Sequence, residues 1–229
     1  MSFEIRYATE SDAPSLAEIN IASFSHQPLW SNVSPSLEAS VVFPYKLARC
    51  LERIRHSDAH ILVAVDVSQP SEKVVGYASW SVPSVLPLPQ SHRRRIELGE
   101  GGTATTESIE QLRPEGMQCG IYENIINMLK EEMGRCAGPT DITLDYLATL
   151  PEYQGQGVGS SLLRWGIKLV QELKQRILLV ATTDGYPLYS KLGWRVLREI
   201  VVDYRELGGH GEQIFTLMVW DYCCATELS

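Results

Sequence analysis

Several features are missing from this chain, and each absence removes a class of function. No apolar run approaches the ~20 residues that span a bilayer, so no membrane role is expected. Lysine and arginine total 20 against 28 aspartates and glutamates, a formal net charge of −8. Phosphate-backbone affinity comes from clustered cations, so this balance argues against a nucleic-acid binder. The five cysteines, Cys50, Cys119, Cys136, Cys223 and Cys224, make no C-x-x-C pair and no zinc-ligand spacing, and no metal is expected. The opening MSFEIRYATESD has no basic segment followed by an apolar one. With the cysteine pattern, this points to a reducing setting in the cytoplasm or nucleus.

The 229 residues are 44% hydrophobic and 21% charged, enough to bury a full core. They are expected to form one domain over 1–229, with a loop or helix insertion at about 83–120. FEIRYA (3–8) reads as a strand, followed by a helix capped by Thr9 or Ser11 with Leu16, Ile19 and Ser23 at helical spacing. Pro44 suits the first position of a second helix, with Leu47, Cys50, Leu51 and Ile54 on one face. HILVAVDV and KVVGYASWSV form a hairpin. The stretch from Pro83 to about Gly116 lacks periodicity and reads as a loop, and a helix resumes near Gln118. Then follow a strand (141–150), a glycine-rich turn, a helix to about Gln175, the strand RILLVATT, a short helix ending on Gly193 and two long strands.

The turn Gln154-Gly155-Gln156-Gly157-Val158-Gly159-Ser160 opens directly into the helix. Helix N-termini carry unpaired N–H groups and a partial positive charge, so bare backbone there suits an anion. A dinucleotide fingerprint G-x-G-x-x-G started from Gly155 needs glycine at Ser160, and one started from Gly157 fails at Leu162. A phosphate loop of the form G-x-x-x-x-G-K-[ST] lacks its second glycine and its lysine.

In full, the turn resembles Q/R-x-x-G-x-G/A, the acyl-CoA diphosphate loop of the GNAT superfamily of N-acetyltransferases. GYPLYSKLGW (185–194) is similar to that family's Y-x-K-x-G-F/W segment, at the usual separation and in the usual order. The resemblance implies an α/β (α+β) fold whose mixed central sheet of about seven strands, flanked by helices, is splayed between strands 4 and 5. It implies acetyl-CoA as co-substrate, with backbone amides from Gln154 to Ser160 on the diphosphate and the strand edge at Leu147, Ala148 and Thr149 on the pantetheine arm. Tyr189 takes the position of the family's tyrosine acid. Where some members carry a glutamate base this chain has Thr143, which leaves Asp145, or a water chain assisted by Asp145, Glu123 or a backbone carbonyl. Side chains of 143, 145, 147 and 149 are expected on one strand face.

The implied activity is acetyl transfer to an amine-bearing small molecule or peptide by a monomer or homodimer; a non-catalytic acyl-CoA-binding module is the rival. The acidic balance favours a cationic or amine acceptor, and polyamines, amino sugars, arylalkylamines, amino acids and protein amines all remain open. His60, Trp30, Trp80, Trp165 and Trp194 read as core residues, and SHRRR (91–95) as a solvated loop.

Overall fold

The computed structural model describes residues 2–68, 72–92 and 106–222. Cys223, Cys224 and three residues of the SHRRR run, Arg93 to Arg95, lie outside them.

Seven strands form one sheet: β1 (Phe3–Tyr7), β2 (Ala59–Asp66), β3 (Lys73–Ser81), β4 (Ile142–Thr149), β5 (Arg176–Thr182), β6 (Arg195–Asp203) and β7 (Glu212–Asp221). Their spatial order is β1-β2-β3-β4-β5-β7-β6. Every neighbouring pair is antiparallel except β4 and β5. Those two are joined by a helix, as a parallel pair requires. The expected hairpin is β2–β3, and β2 is buried along its whole length, in keeping with its unbroken apolar run.

The helices are α1 (Ala13–Phe24), α2 (Pro28–Val33), α3 (Ala39–Arg55), α4 (Thr106–Glu110), α5 (Cys119–Gly134), α6 (Val158–Leu173) and α7 (Tyr186–Lys191). On one face of the sheet Leu16 and Ile19 of α1 and Ile54 of α3 pack against Ile61, Val63 and Tyr77. On the same side, α5 lays Ile121 and Ile125 on Leu178 and Leu217. On the opposite face α6 buries Leu162, Leu163 and Val170 against Trp80, Leu144 and Ile177. Each such side chain contributes roughly 1.5–3 kcal/mol by leaving water.

Two sequence expectations shift. Pro44 does not start α3 but lies inside it, because Val42 and Tyr45 are buried and extend the helix back to Ala39. The carbonyl that its missing N–H leaves free belongs to exposed Ser40, where water can satisfy it. In the stretch after Pro83, read from the sequence as a loop, residues 90–92 form a short 3-10 turn, and the ring of the buried His92 is centred 5.0 Å from that of Trp165. The Tyr7 hydroxyl donates to the His92 carbonyl at 2.8 Å. Helix α4 adds the fully buried Ile109.

Gly166 sets how closely α6 approaches the sheet. A Cβ there would stand 2.3 Å from Cη2 of Trp80, whose ring is fully buried. Gly166→Ala gains about 1 kcal/mol of helix propensity. The ring has no room to retreat, so a net loss of about 1–3 kcal/mol is expected. Urea unfolding of the purified variant checks this, and an unchanged midpoint would contradict it.

Candidate active site

One residue opens the sheet. Ser79 pairs with Tyr146 and Trp80 with Leu144, so Asp145 is an extra residue, a β-bulge in β4. Before it, Ile142 and Leu144 face the α6 side; after it, Tyr146 and Ala148 face the α1–α3 side and Leu147 faces α6. The expectation that 143, 145, 147 and 149 share a face therefore fails: Thr143 and Asp145 belong together, and the bulge sends Leu147 to the other side. Pairing with β5 covers only Ile142 to Leu144, opposite Ile177 to Leu179. Past the bulge β4 diverges, and its edge from Asp145 to Thr149 has no β5 partner. The expected splay between strands 4 and 5 is present.

A cleft of about 1090 Å³ runs through this gap. Leu147, Ala148 and Thr149 line it, and so do Gln154, Gly155, Gly157, Val158, Gly159 and Ser160. Asp145 and Tyr189 line it too, whereas Gln156 does not.

The glycine turn holds its shape by a division of labour. Gly155 and Gly157 have φ of +73° and +88°, left-handed values at which a Cβ is strained. Around both, the space a Cβ would fill is empty. The Gln154 side chain donates to the Thr149 carbonyl at 3.2 Å, and the Gln156 side chain donates to the Glu152 carbonyl at 2.8 Å. Both glutamines thus brace carbonyls. Gly157, at the N-cap of α6, offers no side-chain cap, and Ser161 N–H donates to the Gly157 carbonyl at 3.0 Å. The N–H groups of Val158, Gly159 and Ser160 stand at the open end of the helix, with its positive dipole behind them. The charge and bare backbone of this cradle suit an anion.

Tyr189 reaches the same cleft through α7. The neighbouring Leu188 side chain comes within 3.0 Å of the Cβ position of Gly159, so a larger residue there would push α7 away from α6. Gly185 likewise leaves room for the Tyr189 ring, 3.0 Å from its Cβ position. The ring packs on Trp194 at 5.8 Å, and burial raises the phenol pKa above its ordinary value. Its hydroxyl is therefore held in the protonated form.

Asp145 is engaged at both oxygens. It is ion-paired with Arg53 of α3, accepts from Ser81 Oγ at 2.6 Å, and accepts from Thr143 Oγ1 at 3.0 Å. Arg53 also lies 5.0 Å over the Tyr146 ring. Glu123 instead pairs with Arg113 at 2.8 Å and is not among the cleft's residues. His60 is buried and shares a 3.0 Å hydrogen bond with Tyr7, as expected of a core residue. Trp80 and Trp194 are buried, but Trp30 lines the cleft, contrary to its core assignment.

Sequence reasoning also missed a clamp at the cleft's rim. His26 and Gln27, just after α1, reach Asp184 beyond β5 at 2.7 and 2.6 Å. It missed the cleft-facing stripe Lys46, Arg49 and Arg53 of α3 as well, although cations at spacings of three and four were a readable signal.

Comparison with known proteins agrees with this geometry. The model of the GNAT acetyltransferase domain matches residues 120–196, from α5 to the start of β6. An acetyltransferase of Stachybotrys chartarum is 22% identical over 202 residues, covering 86% of this chain and 83% of that protein. Drosophila melanogaster polyamine N-acetyltransferase, which forms N-acetylagmatine, has the same fold at TM-score 0.61 and 13% identity, over 96% of this chain and 100% of that one. The PaiA N-acetyltransferase of Thermoplasma acidophilum, solved with coenzyme A, aligns at TM-score 0.54 and 16% identity, over 97% and 100% of the two chains. With a split seven-stranded sheet and a glycine cradle at its mouth, the chain is similar to the GNAT acetyltransferases, whose domain model it matches over residues 120–196.

Proposed function

We propose that the protein transfers the acetyl group of acetyl-CoA directly to the amine of a small molecule or peptide. The observation that carries this reading is the continuity of one cleft from the glycine turn, along the unpaired edge of β4, to Tyr189. Acetyl-CoA supplies a reactive thioester; holding it and moving protons fall to the chain.

The amides from Gly155 to Ser160 hold the diphosphate, and the β4 edge at Leu147, Ala148 and Thr149 offers backbone groups to the amides of the pantetheine arm. A backbone N–H at that edge, aimed at the thioester oxygen, supports the charge that builds there; such donors are worth about 2.7–4 kcal/mol each. As the amine nitrogen bonds to the carbonyl carbon and the carbon–sulfur bond breaks, the Tyr189 hydroxyl hands its proton to the sulfur, and the proton that the nitrogen loses on becoming an amide returns the phenolate to a phenol through water. The amine must shed a proton, since an alkylamine of pKa ≈ 10.4 is mostly protonated at neutral pH. With both Asp145 oxygens engaged, that proton leaves through water, and Asp145 supplies the negative charge at the end of the relay. The products are an N-acetyl amide and CoA thiol.

Steady CoA-thiol release with some amine from a broad panel tests the proposal. Tight CoA binding with no release from any of them would mark a binding module instead. Asp145→Asn keeps the side chain's shape and removes its charge. It is expected to lower kcat about 10²-fold while acetyl-CoA affinity holds. An unaltered kcat would take Asp145 out of the proton path.

A further inference from the structure

The acceptor half of the cleft is locally cationic in a chain whose formal charge is −8. Lys46, Arg49 and Arg53 follow one another along the cleft-facing stripe of α3. Two of them are already neutralised, Arg49 by Glu52 at 2.9 Å and Arg53 by Asp145. Lys46 is not: among the described residues its Nζ meets the Trp30 ring, 5.2 Å from the centroid, and no carboxylate. It is half-buried, and Tyr45 and Tyr122, which follow it around the cleft, are neutral phenols.

The glycine turn cannot use this cation. Lys46 rises from α3, in the layer that packs with Tyr146 and Ala148, whereas the turn feeds α6 on the opposite face of the sheet. An unpaired ammonium held against an aromatic ring inside a cleft costs stability unless an anion arrives to meet it.

We propose that the acceptor is an amine that also bears a carboxylate, an amino-acid-class substrate, with Lys46 binding the carboxylate and Trp30 covering the side chain. This rests on the acetyl-transfer reading above. A polyamine would set its second ammonium against Lys46, where like charges repel and no free carboxylate compensates. Burial, helped by Arg49 and opposed by Cys50, lowers the Lys46 pKa to about 8, the response of a cation without an anionic partner.

Matched acceptors test the idea: L-phenylalanine against phenethylamine, L-tyrosine against tyramine, and L-methionine against 3-(methylthio)propylamine. Each is assayed by CoA-thiol release with the wild type, Lys46→Met and Lys46→Arg, and calorimetry with CoA reports that each variant is folded. At least one carboxylate-bearing member is expected to exceed its decarboxylated partner about tenfold or more in kcat/KM with the wild type. That preference should vanish in Lys46→Met and persist in Lys46→Arg. Equal or better use of the decarboxylated amines by the wild type, or a preference that survives Lys46→Met, overturns the proposal. If CoA binds but no amine is turned over, acetyl transfer itself fails, and titration of CoA-loaded protein with 3-phenylpropionate decides this inference separately. Binding lost in Lys46→Met upholds it, and no binding to the wild type overturns it.

Discussion

Gly157→Glu is expected to weaken CoA binding by about a hundredfold, roughly 2.7 kcal/mol, in calorimetry on the purified protein. Two effects combine. Residue 157 has a φ of +88°, where any Cβ costs roughly 1–2 kcal/mol of backbone strain. The glutamate carboxylate would then stand in the empty space beside the turn and repel the diphosphate that the α6 dipole should attract. Gly157→Ala separates the two, since it carries the strain without the charge, and it should lose clearly less affinity. Affinity unchanged by glutamate would show that the diphosphate binds elsewhere.

The second large effect belongs to Tyr189. Removing only its hydroxyl, in Tyr189→Phe, keeps the ring against Trp194 and α7 in place. The expectation is a kcat about 10²-fold lower with acetyl-CoA affinity unchanged, because the lost group acts on the sulfur only as it departs. The sign of the pH dependence follows from the raised phenol pKa. Burial extends the protonated, proton-donating form upward in pH. Loss of this acid therefore contributes no decline in kcat below about pH 10, the ordinary tyrosine value. A wild-type rate matched by the phenylalanine variant would remove Tyr189 from the acid role, and a decline below that pH seen in the wild type and absent from the variant would contradict the raised pKa.

Much of this architecture was legible because its signals are local. The glycine spacing of 155, 157 and 159 marked a helix mouth, and the apolar runs of β2 and β5 marked buried strands. The hairpins declared themselves by the polar breaks between apolar stretches. What escaped depends on contacts between distant segments. The bulge at Asp145 arises from how β4 pairs with Ser79 and Trp80 of β3, and no residue type in DITLDYLAT announces it. Strict two-residue alternation therefore misassigned the faces of Leu147 and Thr149. Likewise the Arg53–Asp145 pair joins residues 92 positions apart. Pro44 misled because its preference for a helix start was overruled by the burial of Val42 two residues earlier.

The same division applies to the site. Residues proposed to contact acyl-CoA through backbone atoms sit in contiguous motifs and could be named from the chain alone. The proposed acceptor end draws on α2, α3, α5 and β4, so Trp30, Lys46, Tyr122 and Tyr146 come to line one cleft only after folding. A motif search finds the former and misses the latter.

The central claim is that the glycine turn and the parted strands together hold acyl-CoA, and a crystal structure of the protein with CoA tests it most directly. The account predicts diphosphate oxygens within hydrogen-bond distance of the amides between Gly155 and Ser160, and a pantetheine arm lying along β4 from Asp145 to Thr149. CoA bound away from that turn, or an arm that leaves the β4 edge untouched, would contradict it.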